Sequence, residues 1–454
     1  MLEQQMWFRY EEALPIAYRQ CLCEGKDVEA DYGRMKAIAD MAYGDPEKKK
    51  RAAALLDRWE SLPVRSDFPY EEPDGLEEIE SLTAAGRRND ISSVDIQYDK
   101  VYGAWLGRSA GCLLGQPVGG GYQDRLLGFL KESGNLPVNG YMSSDVSGEI
   151  RKKYDIVDEK EVYGGCMVNW VNNIECMPED DDTNYTILAL KLMEQKGYNF
   201  TPDDVGECWL NCLPVLHVCT AERVAYINMV NNLSPPASAG YRNAYREYIG
   251  AQIRGDFYGY VCPGDAAKAA RLAWKDACIS HTKNGIYGEM FAAAMLAEAA
   301  KETDMRKIIR TALLQIPPKS RLAEAIEEIL SWNMQSVDAE EAARRIRQRF
   351  DERLGYDWCH VIPNAMIVCT GLLYGDLDFS RTMHICLTAA FDTDCNCATA
   401  GSVLGMILGA DNIPAEWTAP LRDQIRSGVD GMGLVSLSSL ASRTIKVYRK
   451  HQKK

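Results

Sequence analysis

Three adjacent aspartates, Asp180, Asp181 and Asp182, followed by Thr183, stand directly before a stretch with helical periodicity, Asn184 to Gln195. A second pair, Asp392 and Asp394 around Thr393, precedes another such stretch far downstream. An Asp or Thr at a helix start is first of all a cap, and a carboxylate there gains about 0.3–1 kcal/mol from the helix dipole. Three in a row exceed what a cap can use, because the extra charges repel one another. Hard divalent cations take oxygen donors, and four or five carboxylates would roughly balance two Mg²⁺ ions. The hydroxyls of Thr183 and Thr393 are placed to complete or brace such a shell.

The chain that must bring these residues together has 454 residues, 46% apolar and 26% charged. That is enough for two domains, or for one large domain with an appendage. A net charge of −14 argues against a nucleic-acid backbone or an anionic membrane as partner. The 15 cysteines are odd in number and scattered. Cys21-x-Cys23 and Cys395-x-Cys397 lack the second pair and the nearby histidines of a zinc site. They are expected as free thiols in a reducing compartment. The first residues, with Glu3, Glu11 and Glu12, have no apolar signal-peptide core, and apolar runs are too short to cross a bilayer. A cytoplasmic protein is expected.

Apolar spacing predicts helices over Trp7–Cys23, Val28–Met41 and Pro46–Leu62, then a charged, proline-containing connector from Pro63 to Gln97 that suits an extended segment over a neighbouring surface. Further helices are expected at Thr186–Lys196, Ala266–Ala277, Tyr287–Ala300, Met305–Leu314, Ser320–Met334 and Ala339–Phe350. Alternating strands are scarce, with Thr444–Tyr448 the best candidate. No Gly-x-Gly-x-x-Gly after a strand and no phosphate loop is present.

Two glycine ladders recur every four residues: Gly103, Gly107, Gly111 and Gly115, and Gly401, Gly405 and Gly409. That spacing puts each set on one helix face. Each glycine inside a helix costs roughly 1 kcal/mol against alanine, so a compensating gain is required. Close approach of two helix backbones supplies it and would draw the Asp392 helix into the centre of the bundle.

These residues resemble the ADP-ribosylglycohydrolase family, in which a Thr-Asp-Asp-Thr box and a later Asp-Thr-Asp-Thr box hold two magnesium ions in an all-α, orthogonal multi-helix bundle. The likeness runs from about Tyr98 to Trp417. It takes in the first ladder with Gln116-Pro117, the Asp181-Asp182-Thr183 box, Phe391-Asp392-Thr393-Asp394 with its Ala/Gly helix, and Ile413 to Trp417. The resemblance implies Asp180, Asp181, Asp182, Asp392 and Asp394 as metal ligands, with Asp180 replacing the family's threonine. It also implies Asp182 or Asp394 as the catalytic base. Cys395 stands where the family has a ligating threonine, with Asn396 beside it to compensate. Gly119 stands where many members carry a glutamate.

The segment from Gly250 to Gly264 resembles the family's glycine-rich loop, with Arg254 near a pyrophosphate. His281 resembles a pocket histidine, while His360 reads as structural. Tyr241, Tyr245 and Tyr248 are of a type that could stack on an adenine. The resemblance further implies hydrolysis of a ribosyl C1″ bond to nitrogen or oxygen in an ADP-ribosyl substrate, small or proteinaceous. Competing readings are an N-glycosidase for nucleosides and a non-catalytic ADP-ribose-binding relative. The expected organisation is an N-terminal helical extension and connector over 1–97, a main domain over 98–427 and a tail over 428–454. The extension would cap the pocket or support a homo-oligomer.

Overall fold

The computed structural model describes residues 7–83, 94–162 and 165–452. Among these the protein is an all-α bundle, with regular strands confined to two short antiparallel ladders, Lys160–Val162 with Gly165–Met167 and Gln424–Arg426 with Leu434–Ser436. No helix among the described residues is long and apolar enough to cross a membrane.

The helix Tyr98–Gly115 runs through the centre and packs lengthwise against Thr393–Leu408. The ladders explain the contact. A Cβ on Gly103 would run into the Gly405 carbonyl, one on Gly107 into that of Gly401, and one on Gly111 into that of Cys397. The reverse holds for Gly401 and Gly405, which face the carbonyls of Gly107 and Gly103. Two backbones thus meet with nothing between them, and the summed dispersion contacts offset the glycine cost.

Around this pair the sequence periods become helices with small changes at their ends. Ala266–Ala277, Met305–Leu313, Arg321–Met334 and Ala339–Arg349 start or stop within a residue of expectation, under side-chain caps from Asp265, Asp304, Ser320 and Asp338. The first helix begins only at Leu14, because Pro15 favours the first turn and ends the run of bends before it. Val28–Met41 resolves into a 3₁₀ turn, Glu29–Asp31, and a shorter helix, Tyr32–Ala39. Pro46–Ser61 follows an Asp45 cap.

One expectation fails outright: Thr444–Tyr448 is not a strand but the middle of a helix, Leu437–Gln452. Buried Leu437, Leu440, Ala441, Thr444, Ile445 and Tyr448 recur at helical spacing, and Trp105 Nε1 donates to Thr444 Oγ1 at 3.2 Å. The period over sixteen residues outweighs the β-propensity of five.

The N-terminal helices and the connector are tied to the bundle by buried polar contacts. Gln20 Nε2 donates to Glu247 Oε2 (2.8 Å), and Arg246 clasps Glu24 through two nitrogens at 2.8 and 2.7 Å. Farther along, Glu72 takes Arg321 in a bidentate pair, with the shorter contact at 2.7 Å. A short helix, Leu76–Thr83, closes the described part of the connector, whose stretch 84–93 lies outside the described residues.

Candidate functional site

The two acidic boxes meet at the C-terminal end of the central helix. Gly115 lies against the backbone of Thr393 and Asp394, so that a Cβ there would strike both, and Thr393 Oγ1 donates to the Gly115 carbonyl at 3.1 Å. The next residue turns to the other box: Gln116 Nε2 donates to Asp180 Oδ2 at 2.6 Å. One helix end therefore holds both starts.

Asp180 and Asp392 precede their helices as N-caps, whereas Asp181, Asp182 and Asp394 lie within the first turns. Asp180 is the N-cap of Asp181–Lys196 and accepts from Asp182 N at 2.9 Å, while Thr183 Oγ1 donates back to the Asp180 carbonyl at 3.1 Å. Successive helical residues diverge by about 100°, so Asp181 and Asp182 face different surroundings. Asp182 turns inward to Arg108, whose guanidinium donates to its carbonyl (2.7 Å), to its Oδ1 (3.2 Å) and to Asp256 Oδ2 (2.8 Å). All three side chains are fully buried. Asp181 instead bonds with the Cys219 thiol.

In the second box Asp392 is the helix N-cap, reached through Ala390 and Phe391 at φ +63° and +60°. Two consecutive side-chain-bearing residues in the left-handed region cost about 1 kcal/mol or more each. That strain turns the chain into the helix. Asn364, itself held by donating to the Trp358 and His360 carbonyls, accepts from Asp392 N at 3.1 Å and from Asn396 Nδ2 at 2.8 Å. Cys359 Sγ donates to Asp392 Oδ2 (3.3 Å), and Cys395 Sγ donates across the gap to Asp182 Oδ2 (3.2 Å).

Negative charge outweighs positive here. Burial, with Asp181 and Asp394 adding repulsion, pushes the Asp180 carboxyl well above its usual range. Burial first and Asp394 second push Asp181 up to about 6. Asp182 rises by burial although Arg108 opposes it, and Asp392 rises by burial and by Asp394. Asp181 and Asp394 keep partial exposure, whereas Asp182 has none.

Among the described residues there are two groups within each of which the donor atoms lie within 4.8 Å of one another: Cys112, Asp180 and Asp182, and Asp392, Asp394 and Cys395. The buried Gln116 Oε1, on the amide that touches Asp180, has no partner. A crowded set of desolvated carboxylates beside an unpartnered acceptor fits a divalent cation, whose charge would reverse the upward shifts.

Other expected residues lie elsewhere. The segment Gly250–Gly264 is neither an exposed anion cradle nor a surface loop; it is buried throughout, as a 3₁₀ turn at Gln252–Arg254 and a short helix at Asp256–Tyr260. Its glycines serve close packing: a Cβ on Gly250 would enter the Glu222 carboxylate, and one on Gly255 the Glu289 carbonyl.

Arg254 is 1% exposed and wholly engaged. It donates to Asp276 Oδ1 (2.6 Å), Glu222 Oε1 (3.0 Å) and Glu289 Oε2 (3.5 Å), and it sits over the rings of Trp209 and Tyr185. That corrects its assignment to a pyrophosphate. His281 is fully buried, with Nδ1 2.8 Å from Ser280 Oγ, and burial holds its pKa well below the usual value. It lines no accessible pocket. Tyr245 and Tyr248 pack edge to face inside the core, and the more exposed Tyr241 lies against Arg242. His360 caps its helix by accepting from Ile362 N.

Asn396 and Gly119 do border the centre. Asn396 is fully buried and shares Asn364 with Asp392. A Cβ on Gly119 would stand 3.6 Å from Asp394 Oδ1, so a side chain at this position would reach the carboxylates. Gly119 to Gly121 also line a cavity of about 250 Å³ whose walls include Phe129, Tyr154 and Trp170.

Sequence reasoning missed Arg108, Asp256, Cys112 and Cys359. Arg108 carried a signal: a cation between ladder glycines, on a helix that must be packed, has to find buried acids.

A family model for ADP-ribosylglycohydrolases matches residues 93–453. Among solved structures, an ADP-ribosylglycohydrolase-related protein complex is similar at 17% identity and a TM-score of 0.44, over 78% of this chain and 98% of that one. No curated protein is significantly similar in sequence. With its two boxes and ladders inside the matched span, the chain belongs to the ADP-ribosylglycohydrolase family.

Proposed function

We propose that the protein is a divalent-cation-dependent hydrolase that cleaves a ribosyl C1″ bond, to nitrogen or oxygen, of an ADP-ribosylated substrate in the cytoplasm. The convergence of both acidic boxes on one helix end carries this reading, with family membership in support. The ligand set is Asp180, Asp181, Asp182, Asp392 and Asp394, and the expected cofactor is a pair of Mg²⁺ ions. Bound there, the ions would supply Lewis acidity toward the ribose hydroxyls and the attacking water.

The chain's own residues divide the remaining work. Asp394, partly exposed and beside Gly119 of the cavity wall, takes the proton of the water that attacks C1″. Asp182, enclosed by Arg108 and Cys395, is a positioning group and a poorer base than Asp394. Gln116 fixes the Asp180 carboxylate and Asn364 the backbone amide of Asp392, so that little rearrangement accompanies the reaction. The free cysteines of the described chain suit a reducing compartment.

One observation favours a second reading. With Arg254 locked among carboxylates and Gly250 packed on Glu222, the sequence argument for a pyrophosphate contact is gone. An N-glycosidase for small nucleosides needs none. The bare Gly119 keeps a third, non-catalytic ADP-ribose-binding role in view.

Cation-dependent release of ADP-ribose from ADP-ribosyl-arginine is the expected result. Turnover of nucleosides alone would move the assignment to the second reading. Binding of ADP-ribose with no turnover of either would move it to the third.

A further inference from the structure

We propose that the cavity beside Gly119 is the aglycone subsite of this centre, and that it takes a planar aromatic group with an amide-type polar edge. Resting on the reading of the centre as a ribosyl hydrolase, this names the group that leaves C1″.

The cavity starts at the carboxylates. Gly119 belongs to its wall, and a Cβ on Gly119 would stand 3.6 Å from Asp394 Oδ1. Gly120 follows at φ +73° with open space beside it. Bare backbone, with no side chain, therefore forms the boundary between Asp394 and the cavity. A space that begins here meets what is bonded to C1″. The adenine of an ADP-ribosyl group is set apart from C1″ by a ribose, the pyrophosphate and a second ribose, too far to share it.

The walls select the occupant. Phe129 meets Tyr154 and Trp170 edge to face, with ring centroids 5.7 and 5.9 Å apart. Such a wall favours a further ring over an aliphatic chain. An apolar cavity of about 150 Å³ holds benzene, so this one, at about 250 Å³, admits a ring with one substituent. Trp170 Nε1 is taken by the Val157 carbonyl (2.8 Å), and Arg125 pairs with Asp155 on the rim (2.7 Å). Asn169 remains. It lines the cavity at 6% exposure, and its side-chain amide has no hydrogen-bond partner among the described residues. An amide that donates and accepts at once matches a carboxamide on the ring.

For a pyridinium nitrogen bonded to C1″, hydrolysis breaks the C–N bond and returns its electron pair to the nitrogen, which loses its positive charge. The hydroxyl of water bonds to C1″, and the remaining proton passes by way of Asp394 to solvent.

The test uses the full chain with Mg²⁺, titrated calorimetrically with benzamide and with cyclohexanecarboxamide. Turnover of ADP-ribosyl-arginine is compared with that of an ADP-ribosyl pyridinium carboxamide. Benzamide should bind about fivefold more tightly than its saturated counterpart. The pyridinium compound should have a kcat/KM about tenfold or more above the arginine one. Asn169→Leu should weaken benzamide about tenfold and narrow the substrate preference by a similar factor, through KM. If Asn169→Leu does not fold, the comparison of the two carboxamides on the unaltered chain decides. Turnover of the arginine compound with no benzamide binding overturns the aromatic subsite and leaves the hydrolase reading standing. Turnover of neither compound, with benzamide still bound through Asn169, sinks the hydrolase reading and keeps the cavity as an aromatic-amide site.

Discussion

Two acidic clusters in the interior are organised around a fully buried arginine, Arg254 and Arg108, and only one of the two has the makings of a site. Around Arg254 stand Glu222, Asp276 and Glu289, with burial pushing Glu222 and Glu289 above their usual range. Around Arg108 stand Asp182 and Asp256, joined through Asp182 to the rest of the two boxes. Both clusters bury more acid than base. The Arg254 cluster is sealed, roofed by Tyr185 and Trp209. The other keeps Asp181 and Asp394 partly exposed, with Asp394 beside Gly119 of the cavity wall. Excess buried charge alone marks a structural network as readily as a site. Access separates the two, since each cluster leaves a buried carboxylate oxygen unpartnered, Glu289 Oε1 in one and Asp256 Oδ1 in the other.

Substitutions should treat the clusters differently. Arg254→Met strands three carboxylates in the core and should cost about 3–5 kcal/mol of stability, while the folded fraction binds divalent cations as before; denaturant melts with and without cation read both. An altered cation affinity at full stability would erase the distinction. Gly107→Ala drives a methyl into the Gly401 carbonyl and should cost about 3 kcal/mol. Because the ladders hold the boxes together, cation affinity should fall with it.

Asp394→Asn should lower turnover by about 100-fold or more with the melting temperature of the metal-free protein unchanged or higher. A destabilised but active variant would place Asp394 with the structural acids. The smallest effect concerns pH. Asp181 rises from an ordinary 3.8 to about 6 on folding. Across that interval the folded metal-free chain holds a proton that the unfolded chain has released, so this contribution is full below the lower value and is lost as pH rises through the upper. Asp181→Asn should therefore stabilise the metal-free protein by roughly 1–2 kcal/mol at neutral pH and by little in acid. Added cation should raise the melting temperature more at about pH 7.5 than at about pH 5.

Local signals carried the helices well: Ala266–Ala277 and, one residue early, Ser320–Met334 were readable from period, and the ladders from spacing alone. The errors have one cause. Arg254, Gly250 and His281 were assigned by the resemblance of short stretches to a family loop and a pocket histidine, and burial makes the glycines packing contacts and Arg254 part of a closed network. The Thr444–Tyr448 error has the same origin, since a five-residue window could not register sixteen residues of helical burial.

By itself the sequence determined an all-α chain with two acidic helix starts and two glycine faces, because caps, periods and backbone clearance are local properties. Only the tertiary structure decided which carboxylates meet, that Arg108 faces Asp182 and Asp256, and that thiols stand beside the aspartates. Those juxtapositions depend on residues far apart in the chain. Charge repulsion, desolvation and pairing act through distances in space, which spacing along a sequence does not encode.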